Sequence, residues 1–208
     1  MNDSAGANIK TRREPRRYSD EEARVILSAA CRPFGGLSPK TQAARRWIPW
    51  LAAYSGARLG EIAQLQKADV RQQQSVWMIG FPGAYERRFV PVHPHLIEQG
   101  FVAFVDQAAD GALFYDAPVA RRSVEPWDRV VADYGKWIRS LGLTDPNLVP
   151  AHAWRHRFAS VAERFDINPA IVHDLMGHGS PLASDHMLPP SPATLAREIS
   201  KLPRYEVG

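Results

Sequence analysis

Apolar residues recur at helical spacing along most of the chain, and they predict a mostly helical protein. Ser19, with Glu22 three residues later, forms a capping box that opens a helix running to residue 30. A helix predicted at 124–141 carries large apolar side chains on one face, at positions 127, 130, 131, 134 and 137. The same periodicity predicts helices at about 39–54, 58–66, 94–108, 153–165, 169–176 and 195–202.

One part of the chain is typical of a β-hairpin. Residues 75–81 and 87–92 are rich in β-branched and aromatic side chains, and Pro82-Gly83 lies between them. Residues 112–115 form a short apolar run, and after His178 the periodicity decays into GSPLASDHMLPPSP, which is rich in helix breakers. We therefore expect a mostly α fold with a small antiparallel β-sheet, an α+β class. Its domain boundaries are a flexible basic arm at 1–17 and one domain at 18–208.

Length and composition narrow the class of protein. With 208 residues, 45% of them hydrophobic and 23% charged, the chain has the makeup of one globular domain. Its one cysteine, Cys31, excludes a disulfide framework and a cysteine-based zinc cluster. The longest uncharged apolar stretch, residues 47–57, is shorter than the roughly 18 residues that a membrane span needs. We therefore expect a soluble cytoplasmic protein with no membrane partner.

The net charge of +4 suggests a nucleic-acid partner, but the distribution of charge weakens that inference. Residues 1–17 hold five basic and two acidic side chains, whereas the other 191 residues hold 21 basic and 20 acidic ones. The body of the chain is thus almost neutral, and bulk charge does not identify its partner. The arm, through Arg12 and Arg13, is suited to nonspecific contacts with DNA phosphates, which weaken as salt rises.

The residues best suited to chemistry lie in three short segments. In AHAWRHRFAS, the side chains of His152, Arg155 and His156 share one face near the start of a helix. A helix N-terminus with arginine and imidazole groups is suited to holding a phosphate. Arg58 follows the glycine turn in YSGARLGEI, and His178 ends the segment LMGH.

Each segment also has a purely structural interpretation. The histidines of HxxRH would then be packing residues, Arg58 would pair with Glu61 or Glu22 on the surface, and Gly-His would simply end a helix. A metal site is a further alternative, although no HExxH pattern or ligating carboxylate accompanies its histidines. Those histidines are His152, His156, His173 and His178.

Four motifs, taken in their order along the chain, resemble the catalytic domain of the tyrosine recombinases, the phage-integrase family. They are GARLGE, then RxVPxHP at residues 88–94, then HxxRH and LMGH. The resemblance covers residues 18–205 and implies double-stranded DNA as the partner, DNA recombination or integration as the process, and other recombinase protomers as further partners. It implies no metal and no small-molecule cofactor. It also implies that the scissile phosphate is surrounded by Arg58, His152, Arg155 and His178.

The chemistry of phosphodiester cleavage suits such a set of side chains. Negative charge builds on the nonbridging oxygens, which two guanidinium groups can hold bidentately while histidines donate hydrogen bonds or move protons. Most of this stabilisation is preorganised electrostatics and needs no metal ion. Arg87 and Arg88 of the predicted hairpin add further candidate contacts to DNA.

Two chemical groups of the family are missing where the resemblance implies them. The nucleophilic tyrosine would follow His178 by a short helical step, but residues 179–191 contain no tyrosine, and His186 or Met187 stands at that spacing. The hairpin lysine, which is the family's general acid, has no counterpart in IGFPGAYERR. An arginine there holds its proton too tightly to replace it, and Tyr85 is the phenol that this turn offers instead.

A separate DNA-clamping domain, which integrases carry ahead of the catalytic one, is also not found before residue 18. We therefore expect a DNA-binding relative of these recombinases, associated with the nucleoid, with a degenerate active site that is impaired in cleavage. One alternative is an active breaking-and-rejoining enzyme that uses Tyr205, which follows the last predicted helix. Another is a helical or metal-binding protein unrelated to DNA.

Overall fold

The computed structural model, which describes residues 16–82, 87–116, 125–177 and 190–207, is mostly helical and contains one small sheet. The helices are α1 (Asp20–Ala30), α2 (Pro39–Ser55), α3 (Leu59–Ala63), α4 (Pro94–Glu98), α5 (Phe101–Gln107), α6 (Pro126–Ser140), α7 (Pro150–Arg164), α8 (Pro169–Met176) and α9 (Pro192–Ile199). The strands are β1 (Val70–Gln73), β2 (Val76–Phe81) and β3 (Arg88–Pro91). The expected fold class is confirmed.

The described part of the chain begins at residue 16, just before α1. The predicted capping box is confirmed, because Glu22 N donates to Ser19 Oγ (3.1 Å) and Ser19 N donates to Glu22 Oε2 (2.9 Å). The preceding Tyr18 is fully buried, and its ring lies 5.0 Å from that of Trp154. Arg16 pairs with Glu22 at 2.7 Å. Of the predicted arm at 1–17, only its last two residues are described.

Helix α2 lies at the centre of the core, and α1, α3, α6 and α7 pack against it. It begins at Pro39, because the fixed φ of proline suits a first helical turn, and the Ser38 side chain caps it. It ends at Gly56, whose φ of +61° turns the chain sharply towards α3. Its largest fully buried side chains are Trp50, Tyr54, Ile48 and Leu51.

The antiparallel sheet has the order β1-β2-β3. Strands β2 and β3 confirm the predicted hairpin, and Ile79 pairs with Val90 across it. Strand β1 was not predicted, because its sequence VRQQ is mostly polar. It joins β2 through Gln74 and Ser75, which both have positive φ, 48° and 65°. A tight hairpin turn accepts that conformation, but Gln-Ser is not the Asn-Gly pair by which such turns are recognised in a sequence.

Several helical boundaries differ from their predictions, and three of the differences follow from a glycine, a proline or a cap. The helix expected at 94–108 is divided into α4 and α5 at Gly100, where φ is +88°. Helix α7 starts three residues earlier than expected, because Pro150 occupies its first turn. Helix α9 starts at Pro192 with Ser191 as its cap, before the predicted position 195. Within the described ranges, no helix combines the length and apolar content that a membrane crossing requires.

Candidate functional site

Arg155 is the buried centre of the candidate site. Its side chain projects from the first half of α7, and the residue is only 7% exposed. Its Nη1 donates to the carbonyl oxygens of Gly56, at 2.8 Å, and Met176, at 2.5 Å. Its Nη2 is buried as well, yet no hydrogen-bond partner for it exists among the described residues. The guanidinium is therefore held on one side by backbone and left with an unused donor on the other.

Other charges adjoin this guanidinium. Burial lowers the pKa of Arg155 to about 10, and the positive charge of Arg58 acts in the same direction. The Glu61 carboxylate opposes that effect, and Arg88 adds to it. Arg155 still carries its proton at neutral pH, because about 10 is well above 7. We call Arg58, Arg88 and Arg155, with Glu61 between them, the arginine cluster.

Arg58 enters the cluster from the start of α3, immediately after the Gly56 turn. Its side chain is 52% exposed, and its Nη1 lies 3.0 Å from Glu61 Oε1. Its backbone N–H donates to Glu61 Oε2 at 2.7 Å. The surface pair with Glu61 that the sequence suggested is therefore present, and it fixes Arg58 at the edge of the site, where solvent reaches it.

Arg88 reaches the cluster from β3 and holds Glu61 with both arms of its guanidinium. Nη1 donates to Oε1 at 3.1 Å, and Nη2 donates to Oε2 at 2.6 Å. Burial alone would raise the pKa of Glu61, but the hydrogen bonds and charge of Arg88, helped by Arg58, outweigh burial and lower it. The carboxylate is thus ionised, and its pairing with Arg88 was not predicted from the sequence, which suggested only a pair with Arg58. The sequence did carry one signal for Glu61, which is its position three residues after Arg58.

The two histidines of HxxRH lie beside Arg155 on α7. His152 is exposed in the first turn, and His156 is half-buried one turn later. Burial lowers the pKa of His156, and the charges of His152 and Arg155 lower it further. The three residues occupy positions i, i+3 and i+4 of α7, which lie on one face of a helix, as predicted. Among the described residues, no three His, Cys, Asp or Glu side chains are grouped to hold a metal ion.

Several predicted site residues lie elsewhere or outside the described part. Arg87 is 54% exposed and pairs with Asp69 at 2.6 Å, away from Glu61. Helix α8 ends at Met176, with Gly177 as its C-cap, and the LMGH segment reaches the cluster through the Met176 carbonyl. The predicted residues outside the described ranges are Arg12, Arg13, Tyr85, His178, His186 and Met187.

Tyr205, the alternative nucleophile, is on the other side of α7. Its hydroxyl accepts a hydrogen bond from Arg157 Nε at 3.2 Å, and its ring packs against Trp50 and Tyr54. Arg157 and Arg155 are two positions apart, which is about 200° of rotation around a helix. Burial raises the pKa of Tyr205, although Arg157 opposes it, so the reactive phenolate is disfavoured. The described arrangement does not bring this tyrosine to the arginine cluster.

Solved structures with the same fold include recombinases. No family model and no curated protein matches the sequence. The integrase from mycobacterium phage Brujita aligns over 93% of this chain, with a TM-score of 0.64 and 21% identity. The XerH site-specific recombinase, bound to difH substrate in a pre-cleavage complex, aligns over 83%, with a TM-score of 0.60 and 22% identity. XerA recombinase aligns over 80%, with a TM-score of 0.57 and 20% identity.

The alignments cover only part of each recombinase. The chain spans 60% of the Brujita integrase, 50% of the XerH chain and 57% of the XerA chain. At this level of identity the likeness concerns the fold. The chain has a tyrosine recombinase-like fold, as the four motifs implied.

Proposed function

We propose that this chain is a DNA-binding domain of the tyrosine recombinase type, which holds a DNA phosphate on its arginine cluster. The observation that carries the proposal is the buried Nη2 of Arg155, without a protein partner among the described residues. An unsatisfied buried donor costs about 1–3 kcal/mol, and more when it is charged. A phosphate oxygen beside Nη2 would accept that hydrogen bond, and guanidinium groups match phosphate geometry.

The charge of the arginine cluster supports an anionic ligand. Arg58 and Arg88 both pair with Glu61, and Arg155 adds a third guanidinium within reach of the same charges, so positive charge exceeds negative charge there. Arg155 lies in the second turn of α7, one turn after the positive end of that helix dipole, where His152 also lies. A phosphodiester, which carries one negative charge and two nonbridging oxygens, complements this arrangement better than a neutral ligand would.

The similar structures support DNA recombination as the biological setting. XerH is described as a site-specific recombinase bound to its difH substrate, and we extend that class of ligand to this chain. The proposed unit is residues 18–208, and the arm at 1–17 adds phosphate contacts through Arg12 and Arg13. Such a protein would work at the nucleoid in the cytoplasm, with other recombinase protomers as further partners.

We also propose that the domain does not cleave DNA. Residues 179–191 hold no tyrosine, and the hairpin segment 79–88 holds no lysine, so the nucleophile and the general acid of the family lack counterparts. The position of Tyr205 beside Arg157 supports the same conclusion. The residues proposed to hold the phosphate without breaking it are Arg58, His152, Arg155 and His178.

Binding of a short linear duplex across a salt series tests the proposal. We expect the intact chain to bind with an affinity that falls steeply between about 50 and 200 mM salt. Arg58→Ala, at an exposed position where folding is not at risk, should weaken binding by about tenfold and reduce the salt slope by about 1. Arg155→Ala should weaken binding at least as much, because it removes a positive charge that the Gly56 and Met176 carbonyls hold in a fixed position.

The matched control is Arg164→Ala. Arg164 is exposed at the far end of α7, about 13 Å along the helix axis from Arg155 and on the opposite side. Arg164→Ala removes one positive charge from α7, as Arg155→Ala does, and should change the affinity for duplex by less than about twofold. The proposal is wrong if the chain does not bind duplex even at low salt, or if Arg58→Ala and Arg164→Ala weaken binding equally.

A further inference from the structure

Arg88 differs from a surface DNA contact in both its burial and its bonding. Its side chain is only 13% exposed, whereas that of its neighbour Arg87 is 54% exposed. All three of its nitrogens donate hydrogen bonds: Nη1 and Nη2 to Glu61, and Nε to the Leu175 carbonyl at 3.0 Å. The guanidinium is therefore committed to the protein interior, and it joins β3 to two other elements.

The first connection runs from Arg88 to Arg58. Glu61, held by Arg88 on both oxygens, is also the group that receives the Arg58 backbone N–H and its Nη1. A lone carboxylate can rotate about its last bond, whereas one gripped bidentately is fixed in plane and direction. The orientation of Arg58 therefore depends on Arg88 through Glu61.

The second connection runs from Arg88 to Arg155. The Leu175 carbonyl that accepts from Arg88 Nε is adjacent in the chain to the Met176 carbonyl that accepts from Arg155 Nη1. Gly177 permits this close approach, because a Cβ there would lie 2.9 Å from Arg88 Nη1. Arg88 thus fixes the position of the end of α8, and the Met176 carbonyl at that end in turn holds Arg155.

We propose that Arg88 is a positioning residue, which sets the relative placement of Arg58 and Arg155 for one phosphate and is not itself the phosphate ligand. The inference rests on the proposed function, since it concerns the same arginine cluster. The sequence suggested that Arg88 contacts DNA directly. The inference instead gives Arg88 an indirect role, through Glu61 and the end of α8.

The chemistry of the side chain makes this role specific to arginine. The planar guanidinium presents donors in a fixed fork that reaches a carboxylate on one side and a carbonyl on the other. Lysine carries the same charge on a single rotating ammonium group and cannot hold both partners in that geometry. Arg88→Lys therefore keeps the positive charge but loses the hydrogen bonds that position Glu61 and the end of α8.

Duplex binding by Arg88→Lys and Glu61→Gln gives the test. We expect Arg88→Lys to weaken binding by about fivefold or more and to lower the salt slope by about 1, although the net charge is unchanged. In an Arg58→Ala background, the further effect of Arg88→Lys should shrink, because residues acting through one another are not additive. Thermal unfolding of each variant, measured in parallel, identifies loss of folding.

An electrostatic role and a positioning role for this pair predict opposite changes in DNA affinity for Glu61→Gln. It is almost isosteric and raises the charge of the arginine cluster by one, so a purely electrostatic site would bind DNA more tightly. Loss of the bidentate grip predicts weaker binding instead, by about threefold or more. Tighter binding by Glu61→Gln, or binding by Arg88→Lys within about twofold of the intact chain with an unchanged slope, overturns the inference.

Failure of this inference is distinguishable from failure of the proposed function. If Arg58→Ala and Arg155→Ala weaken binding but Arg88→Lys and Glu61→Gln do not, the phosphate site stands and the role of Arg88 is wrong. If Arg58→Ala and Arg155→Ala bind as the intact chain does, the proposed function itself is wrong, and the inference is overturned with it.

Discussion

Arg155 and Arg157 lie two positions apart on α7, are equally buried and have different surroundings. Arg157 donates to Asp20 at 2.7 Å and to the Tyr18 carbonyl at 3.1 Å, so it ties α7 to the start of α1. Arg155 has a buried donor without a partner among the described residues, which supports a ligand on its side of the helix. The difference is one of partners, because a buried guanidinium is stable only where its donors are satisfied.

His93 is a second buried residue whose bonding defines its chemical state. It stacks on Tyr54, with ring centroids 4.0 Å apart. Its Nδ1 accepts from the His95 backbone N–H (3.1 Å), so its Nε2 must carry the proton that it donates to the Leu202 carbonyl (3.2 Å). The neutral ring thus joins the start of α4 to the tail after α9. Charged or titratable groups that face it are His95, Arg204 and Glu98.

We predict that His93 makes the protein less stable as the pH falls. Burial lowers its pKa to about 4, the Leu202 carbonyl opposes that shift, and His95 and Arg204 add to it. The unfolded chain has a pKa near 6.5 there, so it binds the proton first, and stability is lost as pH falls from about 6.5 to about 4. The loss is about 3 kcal/mol in the free energy of unfolding, which urea titrations across this range would measure.

The control for this prediction is His93→Asn. Asparagine can still cap α4, because its side-chain oxygen accepts a backbone N–H, but it does not titrate. The variant should therefore be less stable at neutral pH and should show a flatter pH dependence above about pH 4. An equally steep loss in the variant would assign the effect to other groups.

At the scale of elements, the turn that ends α2 serves both the core and the site. Gly56 has φ of +61°, and a Cβ there would overlap the ring of Phe158 on α7. The same residue offers its carbonyl to Arg155 and precedes the first residue of α3 by three positions. We predict that Gly56→Ala lowers the free energy of unfolding by about 3 kcal/mol, from left-handed strain and overpacking together. Urea unfolding would measure it.

Gly36→Ala is the matched control for that substitution. Gly36 also has a positive φ, +74°, but nothing lies within 4 Å of a Cβ built there. It should therefore cost only the backbone strain, about 1 kcal/mol. Equal losses in the two variants would contradict the proposed contact between Gly56 and Phe158.

Local signals predicted the elements well wherever they were strong. The capping box before α1, the hairpin of β2 and β3 and the periodicity of α6 were all found near their predicted places. Strand β1 was missed because a polar segment needs its partner strand to become extended. The division of α4 from α5 was missed because one glycine inside an apolar pattern can continue a helix or end it.

At the scale of the whole molecule, we predict that the chain forms no covalent link to DNA. A random-sequence library of nicked duplexes traps any cleaved strand, because the short fragment diffuses away and religation is prevented. No protein–DNA adduct should survive a denaturing gel, since residues 179–191 supply no tyrosine and Tyr205 is bonded to Arg157. The duplex-binding assay, run on the same library, is the positive control.

An adduct would contradict this prediction and identify the nucleophile. Tyr205→Phe is the first variant to compare, because it keeps the buried ring and removes only the hydroxyl. An adduct that disappears in Tyr205→Phe would mean that the tail leaves its site on α7 before reaction. An adduct that persists in this variant would assign the chemistry to another side chain.

The sequence by itself determined the class of fold, most helices, one hairpin and the order of the four motifs, because these depend on local periodicity and on residue identity. Only the tertiary structure decided which arginines share partners. Arg87 and Arg88 are neighbours in the chain, yet the exposed Arg87 pairs with Asp69 and the largely buried Arg88 holds Glu61. Likewise, the partners of Arg155 are carbonyls about 100 and 20 residues away. Such pairing depends on how α3, β3, α7 and α8 pack, and no local pattern encodes it.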